Sequence, residues 1–267
     1  MDPRSFLVPT LALGIALALG SGCASNRCPP CEAAAASAGA AKSSGGEPVS
    51  GKYYALPGLD HGLLQSPVNI LSDETEPGKH QIKFGEADEV EEVANLGTTV
   101  ELSFGRGITT EFDGKVYELL QLHFHTPAEH LIDGITYPME MHLVHRGPAL
   151  GAFDPPVYLV ISLLVQMGAA NRFFGEFLNV VPTETGEVAK LHDVFLHDAF
   201  RPGFDLENVH YYHYRGSLTT PPYTESVDWL VAKEVLEAAP AQIQRMNVLE
   251  GDNARHVQAL YRREIDE

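Results

Sequence analysis

Two short segments, Gln121-Leu122-His123-Phe124-His125 and Glu140-Met141-His142-Leu143-Val144, alternate like β-strands, yet they put histidine and polar residues where a strand usually turns apolar side chains inward. A strand repeats every two residues, so His123 and His125 face one way and set two imidazoles side by side without a bend. His142 comes from a second strand. Three imidazoles supply the protein share of a catalytic zinc and leave its fourth position open to water. With twelve histidines in 267 residues, His-x-His alone is weak evidence for a metal. Gln121 and Glu140, each two residues before one of these histidines, add weight. Burying either is costly unless it hydrogen-bonds the outward ring nitrogen of a ligand.

Elsewhere the chain is strand-rich. Val100-Glu101-Leu102-Ser103-Phe104 alternates, Val157 to Val165 is a continuous apolar run suited to a central strand, and Ser226 to Val231 reads as another strand. Helical pattern is confined mostly to Val231 to Ala239, ended by Pro240, with a second short stretch from Ala241 to Leu249. The roughly 215 residues from Lys52 onward suffice for one large core. A net charge of −18, with acidic runs such as Glu86 to Glu92, argues against nucleic acid and for a well-solvated surface. No internal repeat is present.

The stretch from Gln121 to Arg146 (QLHFHTPAEHLIDGITYPMEMHLVHR) resembles the zinc-binding segment of the α-class carbonic anhydrases. Gln65-Ser66-Pro67-Val68-Asn69-Ile70 is similar to the family's N-terminal signature, and Gly216-Ser217-Leu218-Thr219-Thr220-Pro221-Pro222 to its active-site loop. The three occur in family order over roughly residues 52 to 265. The resemblance implies a mostly β fold with surface helices (α+β), a single domain built on a large, mainly antiparallel twisted sheet with the zinc at the base of a conical cleft. It implies Zn2+ on His123, His125 and His142, with Gln121 behind His123, Glu140 behind His142 and the backbone carbonyl of Asn253 behind His125.

Thr219 would accept the proton of the zinc-bound hydroxide while donating its own to Glu129. Thr220 would line the substrate side, and Val144, Val160, Leu218, Val227 and Trp229 the apolar wall where carbon dioxide sits. Without the resemblance those five read as ordinary core. The implied reaction is reversible hydration of carbon dioxide to bicarbonate and a proton by attack of zinc-bound hydroxide, so the partner is a small molecule. The alternative is a silent carbonic anhydrase-like binding module, but those usually lose a zinc histidine, and all three are kept here. A zinc hydrolase of another class lacks its His-Glu-x-x-His helix.

The chain departs from the family pattern in places. Aligning Asn95-Leu96-Gly97-Thr98-Thr99 with the family's Asn-Asn-Gly-His segment puts Thr98 at the proton-shuttle position, and threonine carries no proton at neutral pH. His61 and His130 are the candidate substitutes. Thr126 and Ala254 stand where tryptophan is frequent, and Lys52-Tyr53-Tyr54 lacks the usual Trp-Gly-Tyr.

Residues 1–22 read as a signal peptide: Arg4 precedes an apolar run from Phe6 to Leu19, too short to span a membrane. Leu19-Gly20-Ser21-Gly22-Cys23 resembles a bacterial lipobox, so Cys23 is the expected lipidation site of an exported protein, periplasmic or anchored to the outer membrane, with plain secretion as the alternative. The lipid would be its sole membrane contact. Residues 23–51 read as anchor and flexible linker, residues 52–267 as the catalytic domain. Cys28 and Cys31 lie in that linker, where no folded helix end activates a redox thiol. Oligomeric state is open, a homodimer being compatible.

Overall fold

The continuous apolar run becomes the spine of the sheet. In the computed structural model, which describes residues 62–85, 89–148, 151, 156–200, 206 and 209–267, it forms β10 (Tyr158–Met167), buried without a break from Leu159 to Val165. An unbroken buried run requires partners on both edges and both faces. Along one edge β9 (Met139–Arg146) pairs antiparallel. Along the other, β13 (Val227–Ala232) and then β14 (Leu236–Ala238) pair parallel. Beyond β9 follow β6 (Lys115–His125), β4 (Val100–Phe104), β3 (Val90–Asn95) and β11 (Val188–Lys190), while β12 (Tyr211–Gly216) lies beyond β13. A branch from β6 runs through β5 (Thr109–Phe112) to β2 (Ile82–Lys83). The result is an 11-stranded, mostly antiparallel sheet, accompanied by a small one made of β1 (Asn69–Ile70), β7 (Leu131–Ile132) and β8 (Ile135–Thr136).

The two faces of this sheet bury different things. On one, Leu122, Phe124, Met141, Leu143, Ile161 and Leu163 join the main core. The short helix α1 (Arg172–Phe177) covers it with Phe173, Phe174 and Phe177, each fully buried, at about 1.5–3 kcal/mol of hydrophobic stabilisation per ring. On the other, Val144, Val160 and Trp229 pack with Val68, Ile70 and Tyr214 in a second cluster. Residues two apart share a face, so His123, His125 and His142 stand on the second face. The register places His123 directly opposite His142, and His142 opposite Ser162. A bulge in β6 between Leu119 and Gln121 sets that alignment.

The helix expected over Val231 to Ala239 does not form. β13 continues to Ala232, and after a short turn β14 pairs with Val165, Gln166 and Met167. Ala, Glu and Leu are good helix formers, but that preference is worth less than about 1 kcal/mol per residue, and pairing with the open edge of β10 outweighs it. Pro240 starts a helix instead of ending one: it is the first residue of α2 (Pro240–Glu250), where its missing N–H costs nothing.

At the end of α2, Glu250 is buried, with Oε2 accepting from Val100 N at 3.3 Å and Oε1 from Thr126 Oγ1 at 3.2 Å. Burial pushes its carboxyl up to about 8, against these hydrogen bonds, from an ordinary 4.5. The folded chain therefore keeps this proton across a window in which the unfolded chain loses it. Stability contributed here is complete below pH 4.5 and is lost as pH rises towards about 8. Glu250→Gln should remove that loss and gain on the order of 3 kcal/mol over wild type above the window. Urea midpoints at both ends of the window check it, and an equal difference at the two pH values would contradict it.

Candidate metal centre

β6 and β9 bring the three histidines together. His123 and His125 alternate on β6, and His142 faces His123 across the β6–β9 pairing. His123 Nδ1 lies 2.8 Å from Gln121 Oε1. An amide oxygen only accepts, so His123 carries its hydrogen on Nδ1 and leaves Nε2 as a bare lone pair. His142 Nε2 lies 2.7 Å from Glu140 Oε1, which by the same reasoning leaves His142 Nδ1 bare. His123 Nε2 and His125 Nε2 approach to 3.1 Å. Nitrogens held by one tetrahedral zinc at its usual bond length sit about 3.3 Å apart. One ligand atom from each of the three rings lies within 4.8 Å of the others.

All three rings are buried or nearly so, and burial is the main force on their protonation. It pushes His125 down to about 4, His123 well below the ordinary imidazole value, and His142 down despite the adjacent Glu140 carboxylate. Neutral imidazole is the form that gives a lone pair to a metal. His125 Nδ1 is buried, lies 3.5 Å from Glu129 Oε1 and meets no partner at full hydrogen-bond geometry. Asn253 adjoins it, and through backbone and side chain pulls upward on the ring's pKa. The Asn253 side chain accepts from Thr126 N at 3.0 Å and donates to the carbonyls of Phe124 and Thr98, at 3.1 and 2.8 Å. The end of β6 is thereby tied to the turn after β3.

Glu140 does more than orient one ring. Fully buried, it accepts from Glu129 N at 2.7 Å, His130 N at 2.8 Å and Ser162 Oγ at 2.6 Å, with His130 Nδ1 at 2.6 Å as a further partner. Burial works against its charge, but the His130 and His142 rings and their hydrogen bonds outweigh burial and hold the carboxyl well below the usual carboxylate range. Its contacts with the 129–130 backbone hold Glu129 in place. Burial raises the Glu129 carboxyl, while Arg255 N, at 2.9 Å from Oε1, and the Thr219 hydroxyl pull it back down.

The loop carrying Thr219 is held by the Gln65-Ser66 segment. Ser66 N donates to Ser217 Oγ at 3.0 Å, Ser217 N returns a bond to Ser66 Oγ at 3.1 Å, and Trp229 Nε1 donates to Ser217 O at 3.1 Å. A side chain at Gly216 would put its Cβ 2.1 Å from Ser66 Oγ, so only glycine lets these segments meet. Val144, Val160, Val227 and Trp229 form one buried cluster with Leu218 packed against it, and the Trp229 ring lies 5.0 Å from that of His142. Thr220 is exposed beside the loop, and Thr98 is exposed in the turn between β3 and β4.

His130 does not suit proton export. It is fully buried, with Nδ1 on Glu140 and Nε2 2.6 Å from the Tyr214 hydroxyl, so neither nitrogen reaches solvent. His61, Cys23, Cys28 and Cys31 lie outside the described residues, as do the signal peptide and linker. Sequence reasoning assigned no role to Ser162, Arg255, Ser66 or Ser217, although Ser66 and Ser217 lie in the motifs quoted above. Ser162 had a signal: it is the one polar residue in the apolar run from Val157 to Val165.

A buried set of neutral imidazoles on a large twisted sheet, with an apolar wall alongside, defines an α-carbonic anhydrase-type centre. The eukaryotic-type carbonic anhydrase family model matches residues 55–267, and the chain belongs to that family and is a carbonic anhydrase. It is 38% identical over 209 residues to a carbonic anhydrase of Neisseria gonorrhoeae, covering 77% of this chain and 78% of that one. Among solved structures it is similar to the α-carbonic anhydrase of Thermovibrio ammonificans in complex with sulfanilamide, at TM-score 0.69 and 31% identity, covering 77% of this chain and 88% of that one. It is also similar to the Photobacterium profundum α-carbonic anhydrase, at TM-score 0.68 and 31% identity over 78% and 91% of the two chains.

Proposed function

We propose that the chain hydrates carbon dioxide reversibly to bicarbonate and a proton at a zinc held by His123, His125 and His142. The observation that carries this is the tautomer lock: Gln121 and Glu140 occupy the outward nitrogens of His123 and His142, which turns bare lone pairs inward. When bound, zinc lowers the pKa of a water ligand to about 7 and so supplies a nucleophile near neutral pH. The protein supplies the rest. Thr219, committed as donor to Glu129, keeps its oxygen as acceptor and selects an incoming group that carries a hydrogen. Carbon dioxide has no charge and no strong acceptor, so the wall of Val144, Val160, Leu218, Val227 and Trp229 suits it better than a polar pocket.

Thr98 cannot relay a proton, so the proton leaves to buffer. Stopped-flow hydration before and after zinc removal by a chelator tests the reading. Zinc-free protein should fall to background and recover on zinc addition, and the recovered rate should climb with buffer concentration. A rate that survives zinc removal would overturn the reading.

A further inference from the structure

A second convergence of imidazole and carboxylate lies on the other face of the sheet. His213 alternates with Tyr212 and Tyr214, which belong to the cluster beside the zinc histidines, so it points away from them. There it meets His80, two residues before β2, and Asp266, whose backbone is bonded both ways to that of His213 at 2.8 and 3.0 Å. His80 Nε2 lies 2.9 Å from Asp266 Oδ1, and His213 Nδ1 lies 3.2 Å from the same oxygen. One ligand atom from each of the three residues lies within 4.8 Å of the others.

The outward nitrogens are also engaged. His80 Nδ1 lies 2.6 Å from Asp113 Oδ2, and His213 Nε2 lies 3.4 Å from Asp228 Oδ1. Asp113 is itself pinned, its Oδ1 accepting from Gln81 N at 2.9 Å, and Asp228 is braced by Arg215 Nε at 3.3 Å. A carboxylate has no hydrogen to give, and every one of these four ring nitrogens faces a carboxylate oxygen, so a neutral imidazole satisfies only one of its two contacts. With the N–H groups on the outward nitrogens, two lone pairs and an anionic oxygen are aimed at one spot and repel one another unless a cation lies among them. Protons are the other source of that charge: burial lowers the His80 pKa and Asp113 and Asp266 raise it on balance, but one proton more on each ring would place two charges on rings whose centroids are 4.2 Å apart. One divalent ion meets the same need at a single point, with a carboxylate behind each histidine, the arrangement that orients metal-bound imidazoles elsewhere.

We propose that His80 Nε2, His213 Nδ1 and Asp266 Oδ1 form a second metal site, distinct from the catalytic histidines, that takes a divalent transition metal such as zinc. Two nitrogens and one carboxylate oxygen suit zinc, and the separations of 2.9 and 3.2 Å to the shared oxygen are near those between ligands of one tetrahedral ion. His80 and Asp266 are 29% and 31% exposed at their side chains, which leaves the ion a route in from solvent. Three carboxylates, those of Asp113, Asp228 and Asp266, meet the two rings, while the Arg215 guanidinium and the Lys115 amine act on Asp228. The metal would join the segment before β2, the strand β12 and residues 264–267, and its role would be to hold them together.

Equilibrium dialysis of the full chain against micromolar zinc, followed by elemental analysis, tests this. Wild type should retain two equivalents, His213→Ala and His142→Ala one each, and the double variant none. One equivalent in wild type overturns the proposal, as does a second equivalent that persists in His213→Ala, which would mark adventitious binding to other histidines. Carbon dioxide hydration by His213→Ala at saturating zinc should match wild type and so reports its folding. If that variant does not fold, Asp113→Asn serves: it leaves the three ligands and should weaken the second equivalent by about 10–100-fold. Unchanged affinity there would equally overturn the site.

Discussion

His142→Ala is expected to abolish carbon dioxide hydration and to lower the zinc content by one equivalent while the sheet stays folded. In the proposed centre His142 is the ligand from the second strand, and without it a metal would keep only the two rings of β6. Folding survives because β9 remains paired along both edges, with β6 and with β10. Glu140 loses one partner but keeps the Glu129 and His130 backbone N–H groups, the Ser162 hydroxyl and the His130 ring. Gln121→Ala supplies a graded comparison. It spares all three ligands and removes only the acceptor behind His123 Nδ1, so zinc affinity should fall by about 10–100-fold. Metal analysis with stopped-flow hydration reads both variants. A fully loaded His142→Ala protein running at the wild-type rate would remove these histidines from the mechanism.

Much of this centre was readable before any coordinates because it depends on the two-residue strand period. His123 and His125 share a face for that reason alone, and the out-of-place polarity of Gln121 and Glu140 marked the groups that bond the outward nitrogens. The register was not readable. A one-residue shift of β6 against β9 would turn its histidines to the opposite face, and the bulge between Leu119 and Gln121 that fixes the alignment has no clear mark in the sequence. The same limit explains Val231 to Ala239. Its composition suits a helix, and only the place of β14 beside β10 makes it strand. His130 shows the converse: a histidine near the site reads as a proton carrier until its burial and two partners are known.

Thr219→Ala should keep zinc yet slow hydration by on the order of 10²-fold, the usual worth of a positioned hydrogen-bond partner of a reacting group. The reason lies in how Glu129 is held. Its Oε1 accepts from Arg255 N at 2.9 Å, and its buried Oε2 meets no donor at full geometry; burial raises the carboxyl's pKa while the Thr219 hydroxyl lowers it, which makes Thr219 the donor proposed for it. In the proposed relay that hydrogen is committed to Glu129, so the Thr219 oxygen would only accept and an incoming group would have to offer a hydrogen. Glu129→Gln should invert this relation, because an amide nitrogen replacing Oε2 donates to Thr219 and frees the hydroxyl hydrogen to turn towards the metal. Hydration should slow, and inhibition by anions that carry no hydrogen should strengthen, a response that loss of packing alone would not produce. The two changes act through one contact, so the double variant should be no slower than Thr219→Ala. Additive losses, or unchanged anion inhibition in Glu129→Gln, would show that Thr219 and Glu129 do not act as a pair.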